Sequence, residues 1–213
     1  MRVSPARAAL PPFGDDTRTV DEAIPIVISA GWSAGVNAYM TVFLLGLFGR
    51  LGLGDVPDGL EDTWVLVAAG GLYAVEFVTD KIPYVDHLWD SVHTVIRPTI
   101  AAALGVLLNG DATGLEDALA AVGSSTTALA SHGVKAGLRM AVNLSPDPVT
   151  TATASVTEDL CVGLVIALVV THPWAALAVS MTFLAIGLTL ISYLWRRIRA
   201  SRARSAGSSA RRT

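Results

Sequence analysis

One cysteine, 15% charged residues and 7% aromatics are little for 213 residues, and each shortage excludes something. A single thiol, Cys161, permits no intramolecular disulfide and no paired-cysteine metal or redox motif. Because it sits in an apolar run, it reads as a small buried side chain. Soluble domains carry about a quarter charged residues, so 15% charged against 52% hydrophobic, with a mean hydropathy of +0.54, is not an ordinary soluble composition. There is no Gly-x-x-x-x-Gly-Lys loop to cradle phosphate, no His-Glu-x-x-His to hold zinc and no other cofactor motif. A cleavable signal is also missing, since Pro5, Pro11 and Pro12 lie among alternating charges in residues 1–22. The first apolar span is therefore expected to act as a signal anchor.

What is present is a series of apolar runs. Six of them, roughly 24–49, 63–80, 92–108, 119–144, 152–171 and 174–195, reach the length that crosses a bilayer. An unpaired amide in lipid costs several kcal/mol, so the spans should be helices. The expected fold is all-α, a polytopic membrane helix bundle of about six spans. Ser124, Ser125, Thr126, Thr127, Ser131, His132, Lys135 and Arg139 dilute the fourth run, which is expected to be broken or enclosed by other helices. Without it, five spans remain.

The net charge of −3 hides an asymmetry. Seven of the fifteen basic residues follow Trp195, namely Arg196, Arg197, Arg199, Arg202, Arg204, Arg211 and Arg212. That leaves eight basic against all eighteen acidic residues in 1–195. The chain divides into an N-terminal segment 1–23, a transmembrane domain 24–195 and an arginine-rich tail 196–213, expected to be flexible. Basic residues stay on the cytoplasmic side, so the tail lies inside, and an even span count puts the N-terminus inside the cytoplasmic membrane as well. The tail would also attract anionic lipid. It carries no aromatic residue, which gives nucleic-acid binding no support.

A faint internal repeat links Ala34-Gly35-Val36-Asn37-Ala38 to Ala136-Gly137-Leu138-Arg139-Met140-Ala141. Each is followed by an acid-bearing span and a proline-led one, with Arg97-Pro98 in the first half and His172-Pro173 in the second. Three spans per half would give two inverted repeats, the plan of many transporters. The small residues around Gly35 and Gly137 also allow helix pairing between copies, and hence a homo-oligomer.

Ionisable residues inside spans are the candidate site. Asp86, Asp90, His93 and Arg97 recur at intervals of four, three and four, and His132, Lys135, Arg139 and Asn143 at three, four and four, so each set shares a helix face. A charge at the bilayer centre costs at least about 2.5 to 3.5 kcal/mol, so the two stripes should face each other or a polar cavity. Glu76, Asp80 and the adjoining Glu158 and Asp159 interrupt apolar spans, and a buried carboxyl there can carry a proton or cation. An ion-pair ladder that merely fixes packing is the plain alternative. Asn37 reads first as a helix–helix hydrogen bond. Trp64, Trp89, Trp174, Tyr193 and Trp195 fall near span ends, where amphipathic rings anchor at the interface.

The chain resembles a bacterial membrane family catalogued as domain of unknown function 4126. The resemblance rests on Gly31-Trp32-Ser33-Ala34-Gly35-Val36-Asn37-Ala38-Tyr39 and on Glu76-Phe77-Val78-Thr79-Asp80-Lys81-Ile82-Pro83-Tyr84-Val85-Asp86. It continues in Asp90-Ser91-Val92-His93-Thr94 with Arg97-Pro98, and in Lys135-Ala136-Gly137-Leu138-Arg139 with Asn143-Leu144-Ser145-Pro146. It covers nearly all of residues 24–195 and implies an integral membrane protein, with no activity, cofactor or catalytic residue to carry over.

Three functions follow from these residues. The first is a small transporter or channel-like protein with a polar site of Glu76, Asp80, Asp86, Asp90, His93, Arg97, Lys135, Arg139 and Glu158. Glu76 or Glu158 would carry the proton or cation, and the three bases would counter charge or bind an anion. The second is a metal-dependent membrane enzyme centred on Asp86, Asp90 and His93, whose donors suit Mg²⁺, Mn²⁺ or Zn²⁺. The third is a noncatalytic membrane scaffold acting through its tail.

Overall fold

The computed structural model describes residues 20–82, 85–110, 113–142 and 147–209. These form α1 (Val20–Val36), α2 (Ala38–Arg50), α3 (Asp58–Glu61), α4 (Thr63–Thr79), α5 (Val85–Leu108), α6 (Leu115–Val142), α7 (Pro148–Thr171) and α8 (Pro173–Ser209), with no strand among the described residues. Local chemistry sets the boundaries. Asp62 caps α4 by accepting the Trp64 N–H at 2.8 Å, and Asp147 caps α7 through the Thr150 N–H at 3.0 Å, with Pro148 pre-set for the first turn. Those hydrogen bonds from Thr150 hold the Asp147 carboxyl below the usual carboxylate range. Gly110 and Gly114, at φ +76° and +65°, turn the chain between α5 and α6 in a conformation that other side chains resist.

The first apolar run, expected as one span over 24–49, is folded back on itself. Ile28 lies over Gly123, Ser131 Oγ donates to Trp32 O at 2.8 Å and Lys135 Nζ donates to Val36 O at 3.1 Å, so α1 runs parallel to α6. Met40 sits beside Gly163 and Gly54 against Val170, so α2 runs parallel to α7. Since α6 and α7 are antiparallel, with Arg139 meeting Glu158 where they join, α1 and α2 form a helical hairpin with Asn37 at its tip. At 1.5 Å per residue the two arms measure about 25 and 20 Å, each short of the ~30 Å hydrocarbon layer. The start of α1 and the 51–62 connection thus lie at one end of the bundle, and the long extension of α8 at the other.

Of the two expectations for the fourth run, broken or enclosed, the second holds: the break is in the first run, and α6 is continuous and enclosed. It tolerates Ser124, Ser131, His132, Lys135 and Arg139 because all five are buried among its neighbours. Small residues allow that enclosure. A Cβ on Gly31 would come within 2.5 Å of Ser124 O, one on Gly105 within 2.6 Å of Ala120 O, and one on Gly35 would collide with Ala128 O and Ser131 Oγ. The atoms nearest a Cβ on Gly137 belong to the Ile191 side chain, so the two small-residue stretches make different contacts and lend the expected repeat no support.

Among the described residues three helical stretches, Leu88–Leu108, Val149–Thr171 and Pro173–Arg197, are long and apolar enough to cross a membrane. Their outer faces, with those of α4, expose Val67, Val75, Val95, Leu160, Ile186 and Leu190, an apolar surface that suits lipid. Helix α8 does not end at Trp195. Its 37 residues span about 55 Å, and Arg196 to Ser209, a proline-free segment expected to be flexible, continue as helix. Trp64 and Trp174 are exposed at the starts of α4 and α8 and Tyr193 and Trp195 near the end of the apolar stretch of α8, whereas Trp89 stacks on His93 with ring centroids 4.7 Å apart.

Candidate functional site

The end of α1 leaves carbonyl groups without helical partners in the middle of the protein. Asn37 adopts extended backbone angles (φ −151°, ψ 99°) and caps α2, its Oδ1 accepting the Met40 N–H at 2.9 Å. Arg97 Nη1 donates to Gly35 O at 3.3 Å and Lys135 Nζ to Val36 O at 3.1 Å. Two side-chain cations therefore cap the negative end of the α1 dipole, the position at which broken membrane helices commonly hold a metal cation.

From this tip the charges spread in one layer. Arg97 Nη2 lies 2.6 Å from Glu76 Oε1 and 3.1 Å from Asp90 Oδ1. Its Nη1 donates to His132 Nδ1 at 2.6 Å, which leaves the proton of His132 on Nε2, 3.0 Å from Thr94 Oγ1. Lys135 Nζ lies 2.7 Å from Asp80 Oδ2, 3.6 Å from Glu158 Oε2 and 3.8 Å from Glu76 Oε1. Arg139 donates twice to Glu158, from Nε at 3.2 Å and Nη2 at 2.7 Å, and from Nη1 to Asp80 O at 2.7 Å. The Glu76 and Arg97 side chains are fully buried, and that of Glu158 is 19% exposed.

Of the nine residues expected in a polar site, Glu76, Asp80, Asp90, Arg97, Lys135, Arg139 and Glu158 meet in this network. His93 is buried beside it but bonds elsewhere, Nδ1 to Trp89 O at 2.8 Å and Nε2 to the Tyr39 hydroxyl at 3.1 Å. The Asp86 side chain lies outside the described residues, as do Asn143 and Pro146. Asp90 faces Arg97 and His93 faces Tyr39, and among the described residues no three of His, Cys, Asp and Glu converge as metal ligands.

Reading the sequence favoured Glu76 and Glu158 as the special acids, and both are held by arginines. Their neighbour Asp159 is the exception. It is 9% exposed, its Oδ1 accepts from Asn37 Nδ2 at 3.1 Å, its Oδ2 is buried without a hydrogen-bond donor, and among the described residues it makes no ion pair. Lys81 reaches from the rim to Ser155 Oγ at 3.3 Å, so among the described residues five carboxyl groups (Glu76, Asp80, Asp90, Glu158 and Asp159) stand beside four basic side chains. Glu76 Oε2 and Asp80 Oδ1 are likewise buried without a donor. A signal for the hairpin was available: an asparagine, a strong N-cap residue, two positions after a glycine in a run longer than one crossing needs.

No curated protein and no solved structure matches the chain. A family model matches residues 24–193, which include the charged layer and all but the first turn of the hairpin, and the chain belongs to the family described as Domain of unknown function (DUF4126).

Proposed function

We propose that this protein is a small proton-coupled transporter of the cytoplasmic membrane, with Asp159 as its proton carrier. One observation carries the reading: a buried carboxyl that, among the described residues, makes no ion pair sits against the tip of a helical hairpin, inside a layer whose described side chains count five acids against four bases. An uncompensated negative charge in the bilayer is costly, so that acid is driven to bind a proton or exchange it for a cation. The hairpin tip is the element able to respond, because Asn37 joins Asp159 to the first turn of α2. Glu76 and Glu158, expected as carriers, are assigned instead to holding Arg97 and Arg139 in place. Arg97 and Lys135 counter the α1 terminus.

With the arginine-rich end of α8 in the cytoplasm, the hairpin puts the start of α1 on the opposite side. Counting six full spans had both ends inside. The charged layer then lies nearer the cytoplasmic face, at the ends of α4 and α6 and the starts of α5 and α7. Exposed Arg196, Arg197 and Arg199 would meet the anionic headgroups there.

The test is proton flux in proteoliposomes under an imposed pH gradient, with and without candidate solutes. Wild type should dissipate the gradient and Asp159→Asn should not, while Glu158→Gln retains part of the flux. Equal flux in wild type and Asp159→Asn removes the carrier role. A second reading, a static ion-pair scaffold, is favoured by the closure of every arginine and Lys135 of the layer in ion pairs, and predicts no flux in any variant.

A further inference from the structure

Beside the charged layer, between α1, α6, α7 and α8, lies a cavity of about 250 Å³ that the network itself does not fill. Its polar lining includes Lys135 and Glu158, and its walls include Trp32 and Phe183, whose ring centroids lie 5.6 Å apart. Ile186 and Leu190, exposed on the outer face of α8, also line it, so the cavity opens sideways toward the apolar surface.

The charge of an occupant follows from the lining. Lys135 is hydrogen-bonded to Asp80 at 2.7 Å and to Val36 O, and lies 3.6 Å from Glu158 Oε2. Glu158 is the acid of the network with appreciable exposure, and each of its oxygens, having taken one Arg139 N–H, keeps a further acceptor position. Among the described residues the neighbouring layer holds five acids against four bases, so an anion would add to that imbalance and a cation would relieve it. Two aromatic faces beside a carboxylate suit an organic ammonium. The volume lies just below the usual ~300–1,000 Å³ of ligand pockets, which limits the apolar body to about one ring.

We infer that this cavity binds a small organic cation, an ammonium on a single-ring apolar body, with its charge at Glu158 and its body against Trp32 and Phe183. As the substrate class of a transporter the inference rests on the function proposed above; as a binding site it stands alone.

Cys161 also lines the cavity and is the one cysteine of the chain, so its alkylation by N-ethylmaleimide reports on this site. The full-length protein in zwitterionic nanodiscs is alkylated with benzyltrimethylammonium, with the isosteric hydrocarbon neopentylbenzene, or with benzylsulfonate present. The cation at saturation is expected to slow alkylation about tenfold or more and the other two less than about twofold. Equal protection by the hydrocarbon or the sulfonate overturns the inference. So does failure of the cation to protect, or a Cys161 that does not react in the free protein.

Glu158→Gln should raise the half-protecting concentration about tenfold. Because that variant also loosens Arg139, Phe183→Leu, remote from the ion pairs, provides an independent arm and should raise it about threefold. Unchanged protection in both folded variants overturns the assignment. Protection without flux would instead overturn the transporter reading and leave the cation site standing.

Discussion

Asn37 and Asp159, 122 residues apart in the chain, share a buried hydrogen bond of 3.1 Å at the point where the first apolar run turns back. The same asparagine caps α2 through its other side-chain atom, so one residue ends a helix, starts another and holds an acid. The fold and the proposed chemistry are joined at that contact.

Replacing Asn37 should therefore cost more than an ordinary cap. Loss of the cap is worth about 1 kcal/mol, and leaving Asp159 without its donor adds about 1 to 3 kcal/mol. Thermal unfolding of the detergent-solubilised protein should show Asn37→Ala well below wild type, with Asn37→Ser between them because serine still caps. An Asn37→Ala protein as stable as wild type would mean that the tip is not held by this bond.

The ion pairs of the layer should behave as coupled units. Arg97→Met alone strands Glu76 and Asp90 and should lose about 3 to 5 kcal/mol, the usual consequence of breaking a buried pair. Removing Glu76 as well, in Arg97→Met with Glu76→Met, should recover part of that loss, with Asp90 still left without Arg97. Denaturant unfolding of the two variants decides it, since a double variant no more stable than the single one is incompatible with a closed pair.

Sidedness separates a hairpin from a full first span. In a Cys161→Ala background, Asp21→Cys and Thr113→Cys should react with an impermeant maleimide from one side of sealed vesicles, and Arg199→Cys from the other. Labelling of positions 21 and 199 from the same side would restore the even span count and remove the hairpin.

Two glycines give opposite expectations. Gly35→Val forces atoms into Ala128 O and Ser131 Oγ and should destabilise by about 1 to 3 kcal/mol or prevent folding. Gly71, within α4, has open space where a Cβ would stand, so Gly71→Ala should be neutral or gain up to about 1 kcal/mol. Melting temperatures that fail to separate the two would contradict the close α1–α6 packing.

Composition and apolar run length determined, by themselves, that the chain is helical and carries stretches able to cross a membrane, because lipid leaves the backbone little choice other than helix. Spacing also brought seven of the nine expected site residues together, since intervals of three and four place charges on one helix face and burial forces opposite charges to meet. Direction is a different matter. Hydropathy along residues 24–49 is the same whether the run crosses or turns back, and only the contacts of Ile28 and Val36 with α6, and of Met40 with α7, distinguish the two. The choice between Glu158 and Asp159 was equally hidden. Adjacent residues on a helix point about 100° apart, so one turns toward Arg139 and the other toward Asn37, and tertiary packing alone decided which of the two acids pairs with Arg139.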